Sequence, residues 1–307
     1  MASLASPPPP NRPLDGMEVP IPGSDKVRWI ELTVPSSPRA ASPQESSPAT
    51  SSRNAAACHV LPGDDLARIH KDLPNAVEMI EICPQREFPE SGLRLIFPES
   101  LFPFAFVCRD ENASGTRCLL YALTESGTAY LFKLGSLSSY ISGSVISQSD
   151  FIEFVVERDP KITAAAATFG CLLVGRQDGS VTSYKLGILE QSAPGFMTEF
   201  RDDVGMGRLW SLVSRGRTVA MVKDLLISQV CGRKLIFALH LDGTLRVWDL
   251  MNHTKVLNHN TIVQELTGST PSRVWVGDPN YDTSVIPLAV LYGYATWLMV
   301  DSQADSG

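Results

Sequence analysis

From about residue 58 onward, short apolar runs alternate with clusters of Gly, Asp, Asn and Ser. Few windows place apolar residues at the i, i+3, i+4 spacing of an amphipathic helix, and most read as strands. Residues 67–71 and 188–191 are predicted as single helical turns. Residues 218–230 carry Val219, Val222, Leu225, Leu226 and Val230 at helical spacing, but the segment's place in a repeat predicts a strand. The pattern makes the fold all-β.

Three segments, 119–134, 171–186 and 235–250, align without gaps and bring Gly127, Gly179 and Gly243 into register. Ser126, Asp178 or Asp242 precedes the glycine, and Thr128, Ser180 or Thr244 follows it. Five residues beyond each glycine stands an aromatic (Phe132, Tyr184, Trp248), and two further on a leucine (Leu134, Leu186, Leu250). This is the signature of a β-hairpin. The Asp-Gly or Ser-Gly pair supplies the positive φ of a tight turn, and the aromatic and leucine share one face of the second strand. The strand before the turn is nearly continuously apolar, as expected when both faces are buried. One Asp-Gly turn carries little information; three in register with the same aromatic and leucine offsets define a repeat.

A further apolar run precedes each hairpin, at 101–108, 162–169 and 222–230, and looser runs such as 151–156 follow. Four strands per unit, with glycine spacings of 52 and 64 residues, describe the blades of a WD-like β-propeller with inserted loops. Trp248-Asp249 is the dipeptide that ends a WD repeat, whereas the Gly-His pair of a repeat start is absent. Strands within 58–96, and Arg273–Val276 with residues 285–300, add partial blades. The predicted propeller is incomplete, with four to five blades in residues 58–307. A propeller with a missing blade exposes strand edges, which predicts that the chain is a truncated product of a longer protein.

Residues 1–57 have a different composition. Eleven of the 22 prolines lie in residues 1–50, and the Ser/Pro/Ala-rich stretch cannot bury enough apolar surface to offset its ordering entropy. It is predicted to be a disordered tail, interrupted at 27–34 by a candidate docking strand in which Trp29, Glu31 and Thr33 alternate with Arg28, Ile30 and Leu32. Ser6, Ser37, Ser42 and Ser47 each precede a proline and are candidates for proline-directed phosphorylation.

The formal charge is −7. Residues 1–57 hold five basic and five acidic side chains, so the acidic excess sits in the body. With no Lys/Arg run, a large phosphate-binding surface and direct nucleic-acid binding are not expected. No charged start with an apolar run marks a secretory signal, and no apolar stretch reaches the length of a membrane span. Six scattered cysteines without a CxxC pair read as reduced thiols of an intracellular protein. In that setting the Asn112-Ala-Ser114 sequon stays idle.

No catalytic constellation is visible. His253 and His259 lie in a polar loop without a carboxylate or cysteine at metal-ligand spacing. His240 sits in a predicted strand. Cys58 and His59 are neighbours on a strand, so their side chains point to opposite faces. Gly205-Met-Gly207 lacks the third glycine and the βαβ setting of a dinucleotide fingerprint. Asp64-Asp65 and Asp202-Asp203 are adjacent acids in turns. No enzyme activity, cofactor or metal is expected.

The run from Val222 to Leu250, residues 209–215 before it, and Gly16–Pro20 with Arg28–Val34 near the start resemble the amino-terminal propeller of the large Y-complex scaffold nucleoporins, in their plant-type form. The resemblance covers most of residues 16–300, and no single motif in it is diagnostic. It implies a structural component of the nuclear pore complex at the nuclear envelope, partnered with other Y-complex nucleoporins. That component supports mRNA export and protein import and meets the pore membrane only through the assembly. The helical solenoid that accompanies such a propeller is absent from this sequence. A generic propeller adaptor, such as a ubiquitin-ligase substrate receptor, is the alternative, and a propeller hydrolase is a third reading that lacks its His and carboxylate groups. The insertion 190–217 is long for a hairpin connection and carries Phe196, Met197, Phe200 and Trp210. These four are the candidate partner contacts, while the hairpin aromatics and leucines are expected in the core.

Overall fold

The computed structural model describes residues 26–36, 55–60, 66–71, 74–82, 89–109, 118–186, 197–200, 219–262, 269–277, 285–293 and 295–301. They form five sheets of strands β1–β21. The first sheet contains β1 (Arg28–Thr33), β2 (Ala55–Val60), β3 (Leu66–Lys71), β4 (Ala76–Ile82) and β5 (Ser91–Ile96). The second is the meander β6 (Leu101–Arg109), β7 (Cys118–Thr124), β8 (Thr128–Leu134) and β10 (Phe151–Val155). The short β9 (Ser144–Val145), from the β8–β10 connection, crosses to the first sheet, whose order is β2-β3-β4-β5-β1-β9.

The third sheet runs β11 (Ile162–Thr168), β12 (Cys171–Arg176), β13 (Val181–Lys185) and β14 (Met197–Phe200). The fourth runs β15 (Val222–Val230), β16 (Arg233–His240), β17 (Thr244–Asp249) and β18 (Lys255–Asn260). The fifth has β19 (Arg273–Val276), β20 (Val285–Leu291) and β21 (Ala295–Asp301). Residues 222–230 are therefore a strand, because β15 pairs along its length with β16. Residues 67–71 are a correction. They lie in β3, hydrogen-bonded between β2 and β4, where pairing on both edges outweighs a weak local helical spacing. Residues 188–191 lie outside the described residues, as do 1–25 and 37–54.

The repeat sets the architecture. Gly127, Gly179 and Gly243 have φ of 92°, 81° and 77°, and their amides donate to the carbonyls of Thr124, Arg176 and His240 at 3.0–3.1 Å. In the second and third turns the aspartate completes the geometry: Asp178 Oδ1 and Asp242 Oδ1 each accept the amide two residues on at 3.0 Å. The first turn has serine there, and Thr124 Oγ1 accepts the Thr128 amide instead, at 2.9 Å. The Gly127 and Gly243 carbonyls accept the amides of Val156 and Thr261, which ties the turn to the chain leaving the fourth strand.

The core is four apolar layers between successive sheets. Phe132 and Leu134 pack among Leu32, Val77, Leu93, Leu95 and Phe97 of the first-sheet region. Tyr184 and Leu186 pack on Leu119, Tyr121 and Leu131 of the second sheet. Trp248 and Leu250 pack on Leu173, Val181 and Phe200 of the third. Each hairpin thus turns its aromatic and leucine back onto the preceding sheet. The last layer joins Phe237, Leu239 and Val247 to Val274, Leu288 and Val290. This is an incomplete WD-like propeller; no strand of the fifth sheet pairs with the first among the described residues.

Candidate functional site

Arg176, Asp249 and Asp224 use their polar groups to hold the fold. Arg176 is 2% exposed. It donates to the Glu157 carbonyl (2.5 Å), the Pro160 carbonyl (3.0 Å) and the Tyr184 hydroxyl (3.1 Å). Asp249, the acid of the Trp-Asp pair, accepts the Met251 and Asn252 amides at 2.8 and 2.9 Å and pairs with Arg233 at 2.7 Å. The Asn252 amide and the Arg233 guanidinium hold its carboxyl below the usual range, against the opposing effect of burial. Asp224 is pushed the other way by burial, although its Oδ2 accepts the Val274 amide across two blades at 2.8 Å.

The candidate bases have structural settings. His240 is fully buried, with Nδ1 at 2.7 Å from the Ala220 carbonyl. The His253 ring stacks on Phe200 at 5.3 Å between centroids, and Lys185 Nζ lies 3.2 Å from its Nε2. Burial, with Lys185 beside it, lowers the His253 pKa and favours the neutral ring. Burial pushes the Cys171 thiol up to about 12, which keeps it protonated. Among the described residues no group of three or more His, Cys, Asp and Glu side chains is placed to hold a metal, and no helix is long and apolar enough to cross a membrane.

The sequence-derived partner contacts separate. Phe200 is 3% exposed and packs on Trp248 at 6.0 Å. It is a core residue rather than a surface contact, because β14 adds the fourth strand to the third sheet and turns Phe200 inward. Met197 is the first residue of β14; Phe196 and Trp210 lie outside the described residues. The turn glycines stand at the three hairpin tips, and Phe132, Leu134, Tyr184, Leu186, Trp248 and Leu250 are all buried.

The surface features suited to a protein partner lie elsewhere. Ile141 and Val145, 77% and 62% exposed, stand on the β8–β10 connection. They flank a groove of about 500 Å³ whose wall includes Leu32, Lys133, Tyr140 and Asp150. Trp275, 45% exposed, occupies the face of β19 opposite Val274. These groups can bury apolar side chains and accept or donate a few hydrogen bonds, but they bring no nucleophile and base together. Sequence reasoning missed them, since isolated aliphatics in a Ser-rich loop give no periodic signal. The only clue was the unusual length of the connection between Leu134 and Phe151.

Comparison with known proteins agrees with this architecture. A family model described as nucleoporin Nup120/160, beta-propeller domain, matches residues 66–296. The chain is 39% identical over 301 residues to the nuclear pore complex protein NUP160 of Arabidopsis thaliana; the match covers 91% of this chain and 20% of that protein. The chain thus spans about one fifth of the relative's length. Among solved structures, two crystal structures of BBS1N in complex with ARL6DN, one soaked with mercury and one with lead, superpose with a TM-score of 0.51 at 10% identity. They cover 81% and 82% of this chain, and 65% and 68% of theirs, and share its fold. With the family model spanning the repeat hairpins and every blade they build, the chain belongs to the nucleoporin Nup120/160 β-propeller family.

Proposed function

We propose that this chain is a scaffold element of the nuclear pore complex. In this reading it joins other nucleoporins of the Y-shaped subcomplex by protein–protein contact, and through that assembly it supports mRNA export and protein import. The observation that carries the reading is the match to NUP160 along 91% of the chain. The surface chemistry is compatible with it. An acidic body disfavours direct phosphate binding, and the exposed aliphatics and Trp275 are groups that protein partners bury. Contact with the pore membrane is indirect, made by the assembly rather than by this chain.

Affinity capture of the tagged chain from plant cells, read by mass spectrometry against a matched tag control, tests the proposal. Enrichment of Y-complex nucleoporins is the expected result. Enrichment of ubiquitin-ligase subunits without nucleoporins would replace the scaffold reading with that of a propeller adaptor.

A further inference from the structure

The N-terminal strand occupies its sheet in an unusual way. β1 lies parallel to β5 on one edge and to β9 on the other, whereas every other strand pair among the described residues is antiparallel. The Arg28 and Val34 amides donate to the Glu90 and Ile96 carbonyls at 2.8 Å. On the opposite edge the Gly143 and Ile146 amides donate to the Glu31 and Thr33 carbonyls at 2.8 and 3.0 Å. An extended segment is thus threaded between two backbones that belong to different blades.

The walls of this slot read side chains. Val27, Leu32 and Val34 are buried to 6%, 1% and 1% exposure. Trp29 lies over Gly92, and a Cβ on Gly92 would stand 2.5 Å from the indole Cζ3. Arg94 closes the pattern. Its guanidinium meets Glu31 at 2.6 Å and buried Glu78 at 2.6 Å, and lies 5.2 Å from the Trp29 ring. A glycine-floored seat for an aromatic, a guanidinium for a carboxylate and pockets for three aliphatics make a receptor for a linear motif. The segment that fills it is joined to β2 by the 20 residues between Val34 and Ala55. A connector of that length reaches up to about 66 Å, so the segment can leave its slot and stay attached.

We propose that the slot between β5 and β9 is a peptide-binding site which residues 27–34 occupy in cis, and that an extended partner segment of the pattern aliphatic-x-Trp-x-Glu-aliphatic-x-aliphatic displaces them. The partner is committed by charge and shape: an acidic residue two positions after an aromatic, so that one meets Arg94 while the other covers Gly92. Tethering gives the cis segment an effective concentration on the order of millimolar, so the intact chain holds its own strand against micromolar competitors. The site is therefore a latched one, opened when β1 is weakened or drawn away. The inference stands on the β1 geometry and does not depend on the nuclear-pore reading.

The test uses the full chain and a fluorescein-labelled peptide of residues 25–36, read by anisotropy. Weakening the latch with Trp29→Ala and Glu31→Ala in the chain should raise peptide affinity at least tenfold over the unsubstituted chain. Adding Gly92→Val should abolish that gain. Adding Arg94→Glu instead should weaken the natural peptide and restore binding of a peptide carrying Glu31→Arg. Failure of the latch-weakened chain to bind while it still melts cooperatively would overturn the proposal. Loss of folding in that chain would also overturn it, since β1 would then be a fixed strand. Amide exchange in the unsubstituted chain gives a second reading. The β1 amides should open faster than those of β16, and equal protection would contradict a releasable strand.

Discussion

Glycine with positive φ serves two needs that a substitution would separate. Gly179 has φ of 81°, and a Cβ there would stand 2.6 Å from the Ala220 carbonyl. Gly143 has φ of 84°, yet nothing lies within 4 Å of its Cβ position. Gly143→Ala carries only the backbone cost of a left-handed residue, about 1 kcal/mol. Gly179→Ala adds a clash with backbone that cannot move aside and should cost about 1–3 kcal/mol more. Urea unfolding of the two variants measures the difference, and equal midpoints would refute the crowding at the Gly179 turn. Asp249 makes a prediction in pH. Its folded-state pKa is depressed, so the stability it confers is full above the ordinary carboxylate pKa and disappears as pH falls through the lower folded value. Asp249→Ala should therefore unfold more easily than the parent at pH 7, and the gap should shrink below about pH 4. A gap that stays constant into acid would mean that the carboxylate charge contributes nothing.

At the scale of elements, legibility in the sequence followed sequence separation. The β7–β8, β12–β13 and β16–β17 hairpins are local: turn chemistry and alternation lie within 16-residue repeats, and the aromatic and leucine offsets place one face on the core. The pairing of β1 with β5 depends on residues 63 apart, such as Glu31 and Arg94, and nothing local announces its register because both faces of 27–34 are mixed. β14 escaped recognition for a related reason. It is four residues long, TE-containing, and lies in an insertion whose composition reads as loop; only its pairing with β13 makes it a strand. That placement changes what the insertion is expected to do. Phe200→Ala should cost about 3–5 kcal/mol, as for other buried aromatics, and deleting 192–206 should destabilise the third sheet by removing β14 outright. Thermal melts of both variants check this. An unchanged melting temperature after the deletion would return the segment to the role of a free contact loop.

Across the whole molecule, the repeat propagates one packing rule. Each hairpin delivers an aromatic and a leucine to the preceding sheet, so neighbouring blades are joined by shared cores rather than by isolated contacts. The departures from that rule are where a partner would be met: the β8–β10 connection with Ile141 and Val145, the threaded β1, and the Trp275 face of the fifth sheet. The fold was legible because three repeats agree, whereas the exposed patches were not, since exposure is decided by which neighbours a loop lacks. Blades joined by shared apolar cores are consistent with membership of the Nup120/160 family. The most direct measurement is the position of the fluorescently tagged chain in living plant cells relative to a nuclear-pore marker. A punctate rim at the nuclear envelope that coincides with the marker is the predicted result. A signal spread evenly through cytoplasm and nucleoplasm, from a chain shown to be folded, would contradict the account.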